Sequence, residues 1–207
     1  MLTADLLRLG EELRVLEEGG ADAVHVDVMD GVFCPQMTVG PPFVKAIPDR
    51  FFTDVHLMVE EPLGKVGAFV EAGADAITFH VEATRHPHRV LQELAGSGVA
   101  RGVALNPGTP LAAIEPLLDE LELVLLLAVN PGWSGQSFIP ATGPRLAAAR
   151  RLLAGREVAL AVDGGITAAN VAAAAEQVDV VVTGSAVFDG VAAAENLRAM
   201  QLALAGD

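Results

Sequence analysis

Three observations predict the fold class of this 207-residue chain. Short β-branched runs alternate with Ala- and Leu-rich amphipathic stretches over almost its whole length, which builds a parallel sheet. Seven such runs can be counted, and the opening "MLT" leaves room for one more short strand ahead of the first helix. No G-x-G-x-x-G follows the first run, so a doubly wound dinucleotide fold lacks its usual signature. The expected architecture is therefore α/β, a (β/α)8 barrel of the TIM type. Its first strand is shortened at the N-terminus, and one domain spans residues 1–207.

The elements follow in order. A helix is expected over Asp5–Glu18, then a strand over Ala23–Met29, where "AVHVDVM" alternates with a period of two. Strands are read at Phe52–Met58, Ala76–Val81, Ala100–Leu105, Leu123–Val129, Val158–Val162 and Val180–Thr183. Helices are read between them at Leu63–Ala72, Pro87–Ala95, Ala112–Leu118, Pro144–Leu153, Ala168–Glu176 and Val191–Ala203. An internal echo, "GADAVHVD" at 20–27 and "GADAITFH" at 73–80, supports repeated units.

Composition narrows the function classes. Hydrophobic residues make up 52%, with no Tyr and one Trp, so the core is aliphatic and closely packed. Thirteen basic against 27 acidic residues leave a net charge of −14, which disfavours nucleic acid and anionic membrane partners. The longest apolar run, "LVLLLAV" at 123–129, is strand-sized and too short to span a membrane. With no signal-peptide pattern and Cys34 as the sole cysteine, the expected location is cytoplasmic. The aliphatic helices point to a homo-oligomer.

Barrel chemistry sits at the C-terminal ends of the strands. His25 and Asp27 share one face of their strand, since i and i+2 project together about 7 Å apart. With His56 and Asp163 from two further strands they form a candidate two-His, two-carboxylate metal site. Mixed N/O ligation suits Zn²⁺, Fe²⁺, Mn²⁺ or Co²⁺ without choosing among them. His80 also ends a strand and reads more readily as a hydrogen-bonded barrel residue. His86 and His88 should face solvent. Glycine-rich turns, "GWSGQ" (132–136), "DGG" (163–165) and "GS" (184–185), follow the last three strands, the usual place of a phosphate site in this fold. None of these turns carries Lys or Arg, so an anion would be bound by backbone N–H groups. The only lysines, Lys45 and Lys65, lie off the strands, which disfavours a Schiff-base aldolase. An Asp-x-Lys-x-x-Asp pattern also fails, because Val28 and Met29 follow Asp27.

The segments "HVDVMDGVF", "TVGP", "DVHLMVE", "FHVEA", "GVALNPGTP", "VNPGWSGQSF", "VDGG" and "GSAVF" resemble the ribulose-phosphate 3-epimerase family from about Leu2 to Phe188. The resemblance implies a metal-dependent C3 epimerase of the pentose phosphate pathway, acting on a phosphorylated ketose through an enediolate. It implies one divalent metal ion, zinc first, held by His25, Asp27, His56 and Asp163, and no organic cofactor. Asp27 and Asp163 would be acid and base. Substrate contacts carry over to Thr3, His56, Gly132, Trp133, Ser134, Gly135, Gly164, Gly165, Gly184 and Ser185. The chain departs from the family at its short first strand, at "GWSG" where Gly-Phe-Gly-Gly is usual, at Leu127-Ala128 and at Gln36. Two alternatives stay open: a C3 epimerase of a six-carbon ketose phosphate such as allulose 6-phosphate, and a non-catalytic phosphosugar-binding barrel.

Overall fold

Seven parallel strands hydrogen-bond in chain order: β1 (Ala23–Met29), β2 (Phe52–Met58), β3 (Ala76–His80), β4 (Ala100–Leu105), β5 (Leu123–Leu127), β6 (Ala159–Asp163) and β7 (Val180–Val182). The structure is a computed structural model describing Met1 and residues 3–205; Leu2, Gly206 and Asp207 of the expected domain lie outside the described residues. Residues from the two edge strands, Ala23–His25 and Val180–Val182, line the same cavity of about 450 Å³. The sheet has therefore curled until its edges face one another, a nearly closed TIM barrel. Where the shortened first strand was expected, Leu2 lies outside the described residues, and the Met1 nitrogen donates to the His25 carbonyl at 2.6 Å. Among the described residues no eighth strand forms, because the chain turns at once into Leu6–Arg8.

The period-two pattern sorts the strand residues as expected. Val24, Val26 and Val28 are buried on the outer face, in one core with Leu13 and Leu16 of helix α1 (Leu9–Glu18). His25 and Asp27 point into the barrel. The interior is tight: Thr78 pairs with Gly102 across β3 and β4, and a Cβ at Gly102 would lie 2.1 Å from the Thr78 hydroxyl. Only glycine fits there.

The strands match the sequence pattern closely; several of the helices are shorter than it suggests. The first begins at Leu9 after a single 3₁₀ turn, because Arg8 leaves helical geometry at φ −123°. The stretch over Ala112–Leu118 is two 3₁₀ turns, Leu111–Ala113 and Glu115–Glu120. Pro116 has no N–H for an i→i−4 bond, so a continuous α-helical ladder cannot run through it. A short α2 (Pro41–Val44), which the periodicity does not suggest, starts on Pro41. Then come α3 (Val66–Glu71), α4 (Pro87–Leu94), α5 (Thr142–Leu152), α6 (Val171–Ala175) and α7 (Ala193–Ala205). No described helix is long and apolar enough to cross a membrane.

Candidate active site and metal centre

Strand register builds the centre of the site. In the β1–β2 pair His25 stands opposite Asp54, and Asp27 opposite His56. These four residues form a two-by-two block on the inner face. Register alone brings the His25 Nδ1 within 2.7 Å of the Asp54 carboxylate, and the His56 Nδ1 within 3.2 Å of Asp27 Oδ1. The strand β6 ends on Asp163, paired with Leu127 and Val182, and delivers a second carboxylate from another side of the mouth. One donor atom from each of His25, Asp27, His56 and Asp163 lies within 4.8 Å of the other three.

Whether these residues fit a metal ion is decided by their unused atoms. A carboxylate only accepts, so His25 donates from Nδ1 to Asp54 and presents the Nε2 lone pair to the cluster. That Nε2 is buried without a hydrogen-bond partner and stands 3.4 Å from Asp27 Oδ1. Donors about 2.1 Å from a tetrahedral ion lie about 3.4 Å apart. Asp27 Oδ1 already stands 3.4 and 3.2 Å from the two ring nitrogens, and the whole cluster would have to contract from its 4.8 Å limit. His25, Asp27, His56 and Asp163 could therefore hold a divalent metal ion.

The electrostatics point the same way. Burial works to lower the His25 imidazolium, yet the charges and hydrogen bonds of Asp54 and Asp27 outweigh it and hold it well above its usual range. The pocket favours positive charge at that spot, and a bound ion would supply it in place of the ring proton. Burial would raise Asp27, but the His25 and His56 imidazoles beside it hold it well below the usual carboxylate range. For Asp163 burial and the Asp27 charge push upward together and prevail over His25 and His56. Two carboxylates a few ångströms apart are thus driven in opposite directions.

A cavity opens above this centre. It is lined by His25, Asp27 and Asp163 together with Thr3, Gly132, Trp133, Ser134, Gly135, Gly164, Gly165, Gly184 and Ser185. Every residue the sequence put forward for the site lines it except His56, which is fully buried behind Asp27. The 129–138 excursion is closed at its base, where the Ile139 N–H donates to the Ala128 carbonyl at 2.8 Å. The Gln136 side-chain amide pins its turn by donating to the Asn130 and Trp133 carbonyls at 2.6 and 3.0 Å. Gly165 holds a left-handed conformation, φ +65°, against that excursion; a Cβ would lie 2.4 Å from the Phe138 nitrogen. No Lys or Arg is among the lining residues.

Two residues that line or support the site escaped the sequence reading. Asp54 orients His25; its signal was the Asp54–His56 spacing, the same i, i+2 relation as His25–Asp27. Thr183 lines the cavity, and its hydroxyl, like that of Thr3, is buried without a partner. His86 and His88 are exposed, as expected.

Comparison with known proteins agrees with this geometry. The family model described as "Ribulose-phosphate 3 epimerase family" matches residues 1–188. The chain is 43% identical over 196 residues to a ribulose-phosphate 3-epimerase of Bacillus subtilis, covering 91% of this chain and 89% of that protein. To the ribulose-phosphate 3-epimerase of Escherichia coli it is 43% identical over 195 residues, 91% and 87% of the two chains. To a chloroplastic ribulose-5-phosphate-3-epimerase of Arabidopsis thaliana it is 42% identical, covering 97% of this chain and 74% of that one. Among solved structures, a 3-hexulose-6-phosphate synthase from Salmonella typhimurium superposes with a TM-score of 0.71 at 19% identity, over 96% of this chain and 94% of that one. A tryptophan synthase α-subunit from Pyrococcus furiosus does so with a TM-score of 0.71 at 20%, over 99% and 94%. At such identities they share the barrel alone. With its family model matched over residues 1–188 and relatives at 42–43% identity along most of its length, this chain belongs to the ribulose-phosphate 3-epimerase family.

Proposed function

We propose that this single-domain barrel interconverts D-ribulose 5-phosphate and D-xylulose 5-phosphate by inverting C3, with Asp27 and Asp163 as the proton-transferring pair. The observation that carries the proposal is the pair itself: two buried carboxylates from different sides of one barrel mouth, pushed in opposite directions by their surroundings. Inversion at C3 requires a proton to leave one face of the carbon next to the carbonyl and another to arrive on the opposite face. One ionised and one protonated carboxyl group supply both steps. Asp27, pushed down by His25 and His56, is the better proton acceptor; Asp163, pushed up by burial and by Asp27, is the better donor. After turnover the two have exchanged states and serve the reverse reaction. A divalent ion on His25, Asp27, His56 and Asp163 would act as a Lewis acid for the negative charge that develops on the enediolate oxygens.

The far end of the substrate meets a different surface. Turns at Gly132–Gly135, Gly164–Gly165 and Gly184–Ser185 present backbone N–H groups without a cationic side chain. In a chain of net charge −14, fixed backbone dipoles are the local device for a phosphate dianion. The unpartnered hydroxyls of Thr3 and Thr183 are placed to meet polar groups of the sugar. A cytoplasmic homo-oligomer fits this reading, and exposed Leu7, Val32 and Met37 are surfaces a second copy could cover.

The test is a coupled assay for D-xylulose 5-phosphate formation, run with chelator and with zinc restored. Turnover lost on chelation and regained with zinc is the expected result. Turnover only on a six-carbon ketose phosphate would reassign the substrate. Ligand binding without turnover on either would leave a phosphosugar-binding barrel.

A further inference from the structure

Behind His56 a chain of polar groups runs from the buried interior to the surface, and neither proton transfer nor phosphate binding uses it. The His56 Nε2 lies 2.9 Å from the His80 Nε2, with the ring planes 28° apart and the centroids separated by 5.0 Å. The His80 Nδ1 lies 3.2 Å from Glu82 Oε2. The other carboxylate oxygen, Glu82 Oε1, accepts from the Asn106 N–H at 2.8 Å and from the Thr109 hydroxyl. His56 and His80 are both fully buried, so water cannot replace the link between the two rings.

Only one arrangement of protons satisfies this chain from its outer end. Glu82 offers acceptors alone, so His80 must donate from Nδ1. A neutral His80 then has only a lone pair on Nε2, and the proton between the two rings must belong to His56 Nε2. The His56 Nδ1, 3.2 Å from Asp27 Oδ1, then has a lone pair to offer an ion held in the cluster. Reversing any link would put a proton on that Nδ1 and block coordination.

Building on the metal-centre reading above, we propose that His80 and Glu82 are positioning residues, a relay that selects the tautomer of His56 able to bind a metal. This matches on β2 and β3 what Asp54 does for His25 on β1, with one more imidazole in between. The outer anchor is what gives the relay its direction. In Glu82→Gln the carbonyl oxygen stays at the Oε1 position, where Asn106 and Thr109 demand an acceptor. The amide NH₂ then faces His80 and donates to it. The whole chain reverses, and the His56 Nδ1 becomes protonated.

The relay is tested by zinc affinity, measured by chelator competition, in a double-mutant cycle. Glu82→Gln is expected to weaken zinc binding about 10–100-fold, with a thermal melt confirming the fold. In a His80→Gln background the same change should cost less than about 3-fold, since the connection is already cut. An unchanged affinity in Glu82→Gln, or an equal loss in both backgrounds, would overturn the relay. A second readout needs no variant. Nitrogen-15 spectra of the zinc-loaded chain should place the shared proton on His56 Nε2, coupled across the hydrogen bond to His80 Nε2. Finding that proton on His80 overturns the proposal even where a variant fails to fold. Failure of the unmodified chain to bind zinc at all would instead overturn the metal-centre reading, and the relay with it, while leaving the proton-transfer pair to the epimerase assay.

Discussion

The two halves of the site are built from different materials. The candidate metal half stands chiefly on adjacent strands, β1 and β2, where register places His25 against Asp54 and Asp27 against His56, with Asp163 added from β6. Each side chain there is held by another, and the atom left over is the one facing the cluster. The half proposed to take the anion stands on glycine-rich turns after β5, β6 and β7 that carry no Lys or Arg. Side chains on a rigid sheet fix charge and proton position, whereas backbone turns fix shape. Substitutions in the first half should therefore alter chemistry or metal affinity; those in the second should alter substrate affinity.

The largest break in this comparison is Asp163→Asn. It keeps the shape of the side chain but removes a proton donor, so turnover should fall about 10²–10⁴-fold even with zinc saturating. An isotope-exchange assay at C3 would read it directly. A fall of less than tenfold would show that another group moves the proton.

The next effect is a pH dependence of stability on the metal side. Burial, with a smaller push from the His56 charge, lowers His80 from the usual 6.5 to about 4 against the opposing hydrogen bond to Glu82. A histidine with a lowered folded pKa binds fewer protons folded than unfolded between those values. Its contribution is complete above pH 6.5 and is lost as pH falls toward 4, at most roughly 3 kcal/mol in all. The stability difference between the unmodified chain and His80→Gln, measured by urea unfolding with chelator present, should shrink by that order across the window. A flat difference would mean that the imidazole carries a proton in the folded chain.

A matched pair of substitutions then sharpens the contrast. Asp54→Asn loosens His25 and should weaken zinc binding about 10–100-fold while leaving KM for the phosphorylated substrate, at saturating zinc, nearly unchanged. Gly165→Ala forces a Cβ toward the Phe138 nitrogen at a left-handed φ. It should destabilise the chain by about 1–3 kcal/mol and raise KM, with zinc affinity intact. If both variants lost zinc to the same extent, the two halves would not be separable.

Much of this was legible in the sequence, and what was not has a physical reason. His25, Asp27, His56 and Asp163 could be found because strand-end polar residues and period-two alternation are local signals. Asp54 and the His56–His80–Glu82 connection depend on which strand lies beside which, and at what register; no local pattern carries that. The over-long helix at Ala112–Leu118 is a different kind of miss. Pro116 stood in plain view, but the apolar spacing was given more weight than the absent N–H. Fold neighbours at 19–20% identity reinforce the lesson, since they share the barrel under other names. The barrel was legible from periodicity, whereas the chemistry lives in a few strand ends.

Thr183→Val is the smallest effect and the most discriminating, because stability and binding should move in opposite directions. The Thr183 hydroxyl is buried at the cavity wall just beyond β7 with no partner. An unpaired buried hydroxyl costs the free chain on the order of 1 kcal/mol, which valine of nearly the same shape removes. Valine also keeps the β-branched stem that suits an extended backbone. The melting temperature should therefore hold or rise by a degree or two. If that hydroxyl meets the sugar, the same change deprives the substrate of a hydrogen bond, and KM should rise about 3–10-fold with kcat little altered. A hydroxyl that merely fills space would leave KM where it was. A threonine whose loss makes the protein firmer and its substrate weaker is one whose partner arrives with the substrate.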